Sequence, residues 1–408
     1  MKAPLGALSE RNFRLLFSSA TISGVGDGIS LVALAFAVLE VSNSAVALGV
    51  VIAARQVANA AITLAAGVWA DRVRRDVLLI GAAVVQGAAQ TGTGLLVIRG
   101  TSSVAVLVAL AATYGLAEGF VLPASTGLIP ATISKARLQQ ANALLGLSQN
   151  GTRILGPAVG GALVALGSPG AALLVDAGTF FVAAGLLLRL ALPERDEVVE
   201  AKPFFHDLRE GWAFFRRQTW LWTTIVFFGI GNFAAASYWV LGPVIAKHEL
   251  GGAPAWAAVT TANSVGALVG GLVALRIRPR KPLAASCMSA WLYLLPALGF
   301  GLGLPLPALV TFSAFAGAGI AVHLALWFTV FQQNVPPEAM SRVSSYDAFG
   351  SFVLNPLGAA VAGPIAAAIG PHHTLLVAAA FIAVTEAIVY AQPSVHAIRA
   401  REVSAEAA

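Results

Sequence analysis

The sequence predicts an all-α integral membrane protein of twelve transmembrane helices, built as two sets of six, and three observations carry that prediction. The first is the solvent the chain asks for: 58% of its 408 residues are hydrophobic and only 11% are charged. Soluble domains carry about a quarter charged residues, so lipid must cover most of this surface. The second is spacing. A hydrocarbon layer roughly 30 Å thick takes about 20 apolar residues of helix, and stretches of that length recur between short polar breaks. The third is the placement of positive charge, which alternates from break to break.

In chain order the apolar stretches run 12–39, 46–69, 77–98, 104–129, 140–166 and 171–191, then 220–245, 254–275, 283–302, 306–331, 345–369 and 373–392. The first follows a short basic segment, but it is too long for a signal-peptide core and contains Asp27, so it is expected to stay in the mature protein. An even number of spans puts both termini on one side. Lys2, Arg11 and Arg14 precede span 1; Arg72, Arg74 and Arg75 separate spans 2 and 3; Lys135 and Arg137 separate spans 4 and 5. Arg276, Arg278, Arg280 and Lys281 follow span 8, Arg342 precedes span 11, and Arg399 and Arg401 follow span 12. On the opposite side lie only Arg99 and Lys247, while Arg55 and Arg153 fall within spans. The positive-inside rule therefore predicts cytoplasmic termini. The net charge of +6 is an orientation signal, and no nucleic-acid partner is expected.

The longest polar segment, 193–219, divides a six-span half at 1–192 from a second at 220–408. Within it, "PFFHDLREGWAFFRR" sets Phe204, Phe205, Leu208, Trp212 and Phe215 on one side of a helix, with Arg209, Arg216 and Arg217 available to lipid phosphates. An amphipathic helix on the inner leaflet is the preferred reading, and a partner-binding helix the other. The two halves echo each other. Gly67 opens "GVWADRVRRDVLL" after span 2 and Gly271 opens "GLVALRIRPRKPL" after span 8, so Arg72 and Arg74 match Arg276 and Arg278 whereas Asp71 becomes Leu275. Duplicated six-helix halves in one orientation are a transporter architecture, with the pathway between them.

These residues also carry a family resemblance. Gly67, Asp71, Arg72 and Arg75 resemble the loop signature of the major facilitator superfamily, and Gly156, Pro157, Gly160 and Gly161 resemble its fifth-helix "GP..GG" signature, which is associated with antiporters. "LPASTGLIPATI", "QQANAL", "LLVDAGTFFVA" and "VPPEAMSRVSS" resemble the branch of proton-coupled exporters that handles enterobactin and macrolides. Arg74 departs from the usual second glycine of the loop signature, Asp76 from a basic residue, and Thr152 from a glycine. The resemblance implies the major facilitator fold, a gating contact between Asp71 and the start of span 11, where "SSYDAFG" with Asp347 would offer helix N-terminal amides, and a helix 5 that joins the interface between halves.

A charge near the bilayer midplane costs on the order of 3 kcal/mol or more, so each needs a partner, a wet cavity or a task. Asp27, Arg55 and Arg153 fall in the middle to outer part of their spans, and Glu118 nearer the inner side. These four are the proton-coupling candidates. Asp27 reads either as a carboxylate that takes and releases a proton or as half of a permanent ion pair with Arg55 or Arg153; Glu118 reads as functional or as a partner of the basic loop. In the resembled family helices 1, 4, 7 and 10 line the cavity, and here they bear Asp27, Glu118, Asn232 and His323. Trp327 shares a helix face with His323 and Trp239 with Asn232, so Asn232, Tyr238, Trp239, His323 and Trp327 are the substrate-cavity candidates. Such a lining suits a bulky amphipathic solute; the alternative is that the aromatic rings fill helix contacts. Pro157 bends helix 5 and the glycines beside it allow close approach, with Asn355, Pro356, Gly363 and Pro364 as a counterpart in span 11.

A single cysteine, Cys287, excludes an internal disulfide, and no P-loop or HExxH motif occurs. The sequence thus predicts no enzyme, no cofactor, no metal and no nucleotide motor. It predicts a monomeric, multi-pass protein of a bacterial inner membrane that exports a hydrophobic or amphipathic small molecule against proton entry, with membrane lipid around it. Import of a small nutrient by facilitation or proton symport is the second reading, and a non-transporting receptor or scaffold the third.

Overall fold

A computed structural model describes residues 6–192 and 215–399, with the side chains of 64–72, Gly127 and several positions in 337–345 left undescribed. Most of the linker predicted to hold an amphipathic helix, including Phe204, Phe205, Leu208 and Trp212, lies outside the described residues. Every regular element among the described residues is helical.

The first six spans are α1 (Arg11–Ser42), α2 (Ala45–Arg72), α3 (Arg75–Ile98), α4 (Val104–Thr132), α5 (Leu138–Leu166) and α6 (Pro169–Leu187). Their ends follow local chemistry. Asn43 stops α1 by taking a left-handed conformation, φ +49°, while its N–H returns to the Leu39 carbonyl. Ser103 and Ser168 cap α4 and α6 by accepting from the N–H groups of Val106 and Ala171. Among the described residues 11 helices are long and apolar enough to cross a membrane. The remaining span of the twelve is α5, which carries Gln139, Gln140, Asn142, Gln149, Asn150 and Arg153 and so falls short on composition.

The last six are α7 (Thr219–Glu249), α8 (Ala253–Ala274), α9a (Pro282–Ala290) leading through a 3-10 turn into α9b (Leu295–Gly301), α10 (Leu306–Asn334), α11a (Pro337–Phe352), α11b (Asn355–Ile369) and α12 (Pro371–Tyr390). Prolines account for the broken spans. Pro296 and Pro356 each occupy the first turn of a new helix segment, where a missing N–H costs nothing. The apolar span predicted at 345–369 is found at Tyr346–Ile369, but its helix begins earlier, at Pro337 with Pro336 as cap. The amides of "SSYDAFG" lie inside α11a and bond along the helix, so they are no helix N-terminus for Asp71 to meet.

The chain divides into two compact units, and the division does not follow the sequence halves alone. The first unit holds α1–α6 together with Val240–Thr261 and Ala359–Pro364, which are the end of α7, the start of α8 and part of α11b. In it α1 packs on α5 and α6, α3 on α4 and α6, and α2 on α4. Glycines set these distances: a Cβ on Gly156 would lie 2.6 Å from Gly28 Cα, and one on Gly160 2.8 Å from the Ile29 carbonyl. Gly161 meets Ala257 of α8 in the same way, and Gly363 of α11b meets Val46 of α2. At the end of α7, Lys247 Nζ donates to the Leu39 carbonyl at 2.7 Å and to Asn43 Oδ1 at 2.9 Å, thus capping α1.

The second unit holds the rest of α7, α8 and α11b with α9a, α9b, α10, α11a and α12. One apolar cluster in it gathers Trp220, Leu221, Ile225, Trp327, Val330 and Phe331. Phe215, expected on the lipid side of an amphipathic helix, is buried in this cluster and stacks on Tyr346 at 5.5 Å. A protein surface rather than lipid covers that ring.

Candidate functional site

In the first unit the sequence candidates Asp27, Arg55 and Glu118 come together, and a residue that sequence reasoning missed connects them. Gly115 and Gly119 let α4 lie against the backbone of α2 at Arg55 and Asn59, so Arg55 and Glu118 face each other. They form a two-pronged ion pair, Nε to Oε2 at 3.1 Å and Nη2 to Oε1 at 2.9 Å. Both keep partial exposure, 23% and 33% of the side chain. The Arg55 guanidinium also lies 4.2 Å from the centre of the Tyr114 ring, a cation–π contact. Tyr114 then donates its hydroxyl to Asp27 Oδ1 at 2.6 Å. Among the described residues Asp27 has no ion pair, because Arg55 is taken by Glu118; Asp27 itself is exposed. Arg153 stands apart, exposed on α5.

Behind α1 lies a second polar group. Gln90 of α3 donates from Nε2 to Ser30 Oγ at 2.7 Å and to Asp176 Oδ2 of α6 at 2.6 Å. Asp176 is fully buried. The one signal for it was its place in "LLVDAGTFFVA"; that it would meet a glutamine on another helix is not written in any local pattern.

The second unit disperses its candidates. Tyr238 and Trp239 line a cavity of about 40 Å³ with Asn263, Tyr293 and Ile320, room for about one water. The Tyr238 hydroxyl is 3.3 Å from Ser313 Oγ. Asn232 is committed to the Ser351 carbonyl at 3.0 Å. His323 stacks on Phe228 at 4.9 Å and sits 3.0 Å from Ser286 Oγ through Nδ1. Trp327 donates its indole N–H to Asp347 Oδ2 at 3.1 Å, and Ser351 donates to Asp347 Oδ1 at 3.3 Å. Asp347 thus serves its own helix and α10. The side chains of Gly67, Asp71 and Arg72 lie outside the described residues, and Arg75 begins α3.

A family model for the Major Facilitator Superfamily matches residues 16–359. The chain belongs to the major facilitator superfamily. It is 25% identical over 267 residues to the uncharacterized MFS-type transporter YvqJ of Bacillus subtilis and 25% over 223 residues to YfiS of the same organism. Those matches span 62% and 52% of the relatives' length, and 62% and 53% of this chain. The enterobactin exporter EntS of Escherichia coli is 27% identical over 385 residues, 90% of this chain and 89% of that one. Among solved structures, a bacterial homolog of the human lysosomal transporter Spinster, inward-facing and unoccupied, superposes with a TM-score of 0.73 at 15% identity, over 94% of this chain and 97% of that one. A point mutant of the nucleoside transporter NupG gives 0.75 at 12% identity, over 93% and 98%. These structures share the superfamily fold of twelve helices, and this chain is a multi-pass membrane protein of that fold.

Within the superfamily fold, the "GP..GG" stretch has a definite place: Gly156, Pro157, Gly160 and Gly161 are all buried in α5. Gly156 and Gly160 touch α1 at Gly28 and Ile29, next to Asp27. Thr152, the departure from the motif, sits over Gly24, where a Cβ would lie 3.1 Å from its hydroxyl. The motif thus packs the helix that carries the exposed carboxylate.

Proposed function

We propose that this chain is a proton-coupled exporter of a hydrophobic or amphipathic small molecule, working by alternating access with both termini in the cytoplasm of a bacterial cell. The observation that carries the reading is the state of Asp27. It is exposed, takes one hydrogen bond from Tyr114, and is not locked to an arginine, because Glu118 neutralises Arg55. A carboxylate so placed is free to bind a proton and release it, whereas a permanent ion pair is not. Similarity to EntS, an enterobactin exporter by name, over nearly the whole chain supports the outward direction. Tyr238, Trp239 and Tyr293 around one cavity support an aromatic or amphipathic substrate, which would have to widen a space now fit for a water.

The test is transport of a panel of amphipathic dyes by the full chain in proteoliposomes with an imposed pH gradient. Dye movement that follows the gradient, and that Asp27→Asn uncouples, is expected. Movement indifferent to the gradient overturns proton coupling. Gradient-driven transport in the same direction as the proton assigns import, and no movement of any dye or nutrient points to a receptor or scaffold.

A further inference from the structure

Asp176 has no role in the mechanism above, and its surroundings are unusual for a carboxylate at membrane depth. None of its surface is exposed. Oδ2 accepts one hydrogen bond, from Gln90, while Oδ1 is buried without a hydrogen-bond partner among the described residues. Thr179, next along the helix face, spends its hydroxyl on the Asp176 backbone carbonyl at 2.7 Å. Asp176 Oδ1 and Thr179 Oγ1 both press on Gly26 where a Cβ would stand, and the next residue of α1 is Asp27. The charged and titratable groups that face Asp176 are Asp27 from α1, Arg55 from α2 and Tyr114 from α4. From α3 comes the neutral Gln90, and the arginine of α5, Arg153, is exposed. Arg55 is already neutralised by Glu118.

An ionised carboxylate offers about four lone-pair sites to donors, and here Gln90 is the one firm donor, the adjacent Thr179 hydroxyl being turned to the backbone carbonyl. An anion left so poorly solvated at bilayer depth costs several kcal/mol. The protonated acid has a much smaller deficit: Oδ2 keeps its bond from Gln90, and Oδ1 carries a hydrogen for which the adjacent Thr179 Oγ1 is the available acceptor. We propose that Asp176 is a second proton-binding site of the transport cycle, occupied in this state of the chain, which exchanges its proton with Asp27 past Gly26. In that exchange the O–H bond at Asp176 breaks and one at Asp27 forms, the proton alone changing place. Loss of the proton leaves Asp176 as an anion short of donors, a force for α1 and α6 to rearrange around it. This inference rests on the proton-coupled reading of Asp27.

Infrared difference spectroscopy of the full chain in lipid, between neutral and alkaline buffer, tests it without a substrate. Wild type is expected to show the carbonyl stretch of a protonated carboxylic acid that disappears in alkali; Asp176→Asn loses that band, while Asp27→Asn and, as control, Glu386→Gln keep it. Labelling aspartate with carbon-13 shifts the band in wild type whether or not Asp176→Asn folds, and Asp27→Asn then separates the two aspartates. No aspartate band in wild type, a band kept by Asp176→Asn, or a band removed by sodium or calcium at constant pH overturns the proposal. In proteoliposomes Asp176→Asn is expected to lose gradient-driven dye accumulation by about tenfold or more, with dye exchange at equal pH retained. Failure of wild type to couple at all sinks the proton-coupled reading while leaving the infrared result to stand; coupling in wild type that Asp176→Asn leaves intact sinks this inference alone.

Discussion

In the first six spans Arg55 and Glu118 meet at membrane depth with Tyr114 and Asp27 beside them, and Asp176 lies behind. In the last six the polar groups mostly find neutral partners: His323 with Ser286, Tyr238 with Ser313, Asn232 with a backbone carbonyl. Both sets carry the same number of spans and matching basic turns, yet one concentrates charge and the other aromatic rings. Duplication of a helical scaffold therefore does not duplicate chemistry. The helix-packing glycines are common to both sets; among the described residues the ion pair within the spans, Arg55 with Glu118, belongs to the first alone.

Breaking the charged side of that comparison gives the largest effect. Glu118→Gln leaves Arg55 without its anion. Loss of a partner from a fully buried pair costs about 3–5 kcal/mol, and the partial exposure of both side chains reduces the expected destabilisation to about 2 kcal/mol. Thermal unfolding in detergent checks it, and Ser286→Ala in the other set is expected to cost less, about 1 kcal/mol. If the two variants melt alike, the contrast between sets has no energetic content.

The shared feature is tested next. Gly156→Ala places a methyl 2.6 Å from Gly28 Cα, and Gly266→Ala in the second set drives one into the Ala314 carbonyl. Each is expected to destabilise by about 1–3 kcal/mol. Gly178→Ala, with open space around it, should instead be neutral or gain up to about 1 kcal/mol from helix propensity. Folded yield and melting temperature decide between packing and propensity.

Asp71 and Leu275 hold equivalent positions in the repeated sequence, the one in the last turn of α2 and the other just past α8, so they sharpen the comparison where the sets diverge by one charge. Asp71→Asn is expected to slow turnover by about tenfold, near 1.4 kcal/mol, with dye affinity unchanged. A loss of affinity at normal turnover contradicts a role in switching.

The smallest effect belongs to the ends of the first set. Glu10 accepts from the Ser134 hydroxyl at 2.7 Å and amide at 2.9 Å and pairs with Arg137 at 3.2 Å. The Ser134 hydroxyl bond, followed by its amide and Arg137, holds the Glu10 carboxyl below its usual 4.5. Its stabilisation is present above that value and is lost as pH falls through the lowered one. Glu10→Gln is thus expected to lower the melting temperature at neutral pH by less than about 2 °C, as suits an exposed pair, and to make no difference in acid.

Spans were legible because burial in lipid imposes a local pattern: the predicted stretch 104–129 becomes Val104–Thr132, and 46–69 becomes Ala45–Arg72. Prolines were visible, but not which turn they would open, so the helical extension from Pro337 that precedes span 11 was missed. The candidate site was legible only as a set of costly charges. Glu118, read as functional or as a partner for the basic loop, pairs instead with Arg55, 63 positions away. Asp176 and Gln90 are 86 apart, and no periodicity along one helix records what another brings to it. Tyr114 carried no signal in the sequence, since only the packing of α4 on α1 sets its hydroxyl opposite Asp27.

Lys247 holds the end of α7 to the end of α1 through a single ammonium on the Leu39 carbonyl and the Asn43 side-chain oxygen. A contact of this kind, a cation on the negative end of a helix, weakens in salt; charges near the surface are screened over about 8 Å at physiological ionic strength. Salt on that face of the membrane would loosen it and salt on the other would not. The medium on one side alone then sets how firmly the end of α7 holds α1.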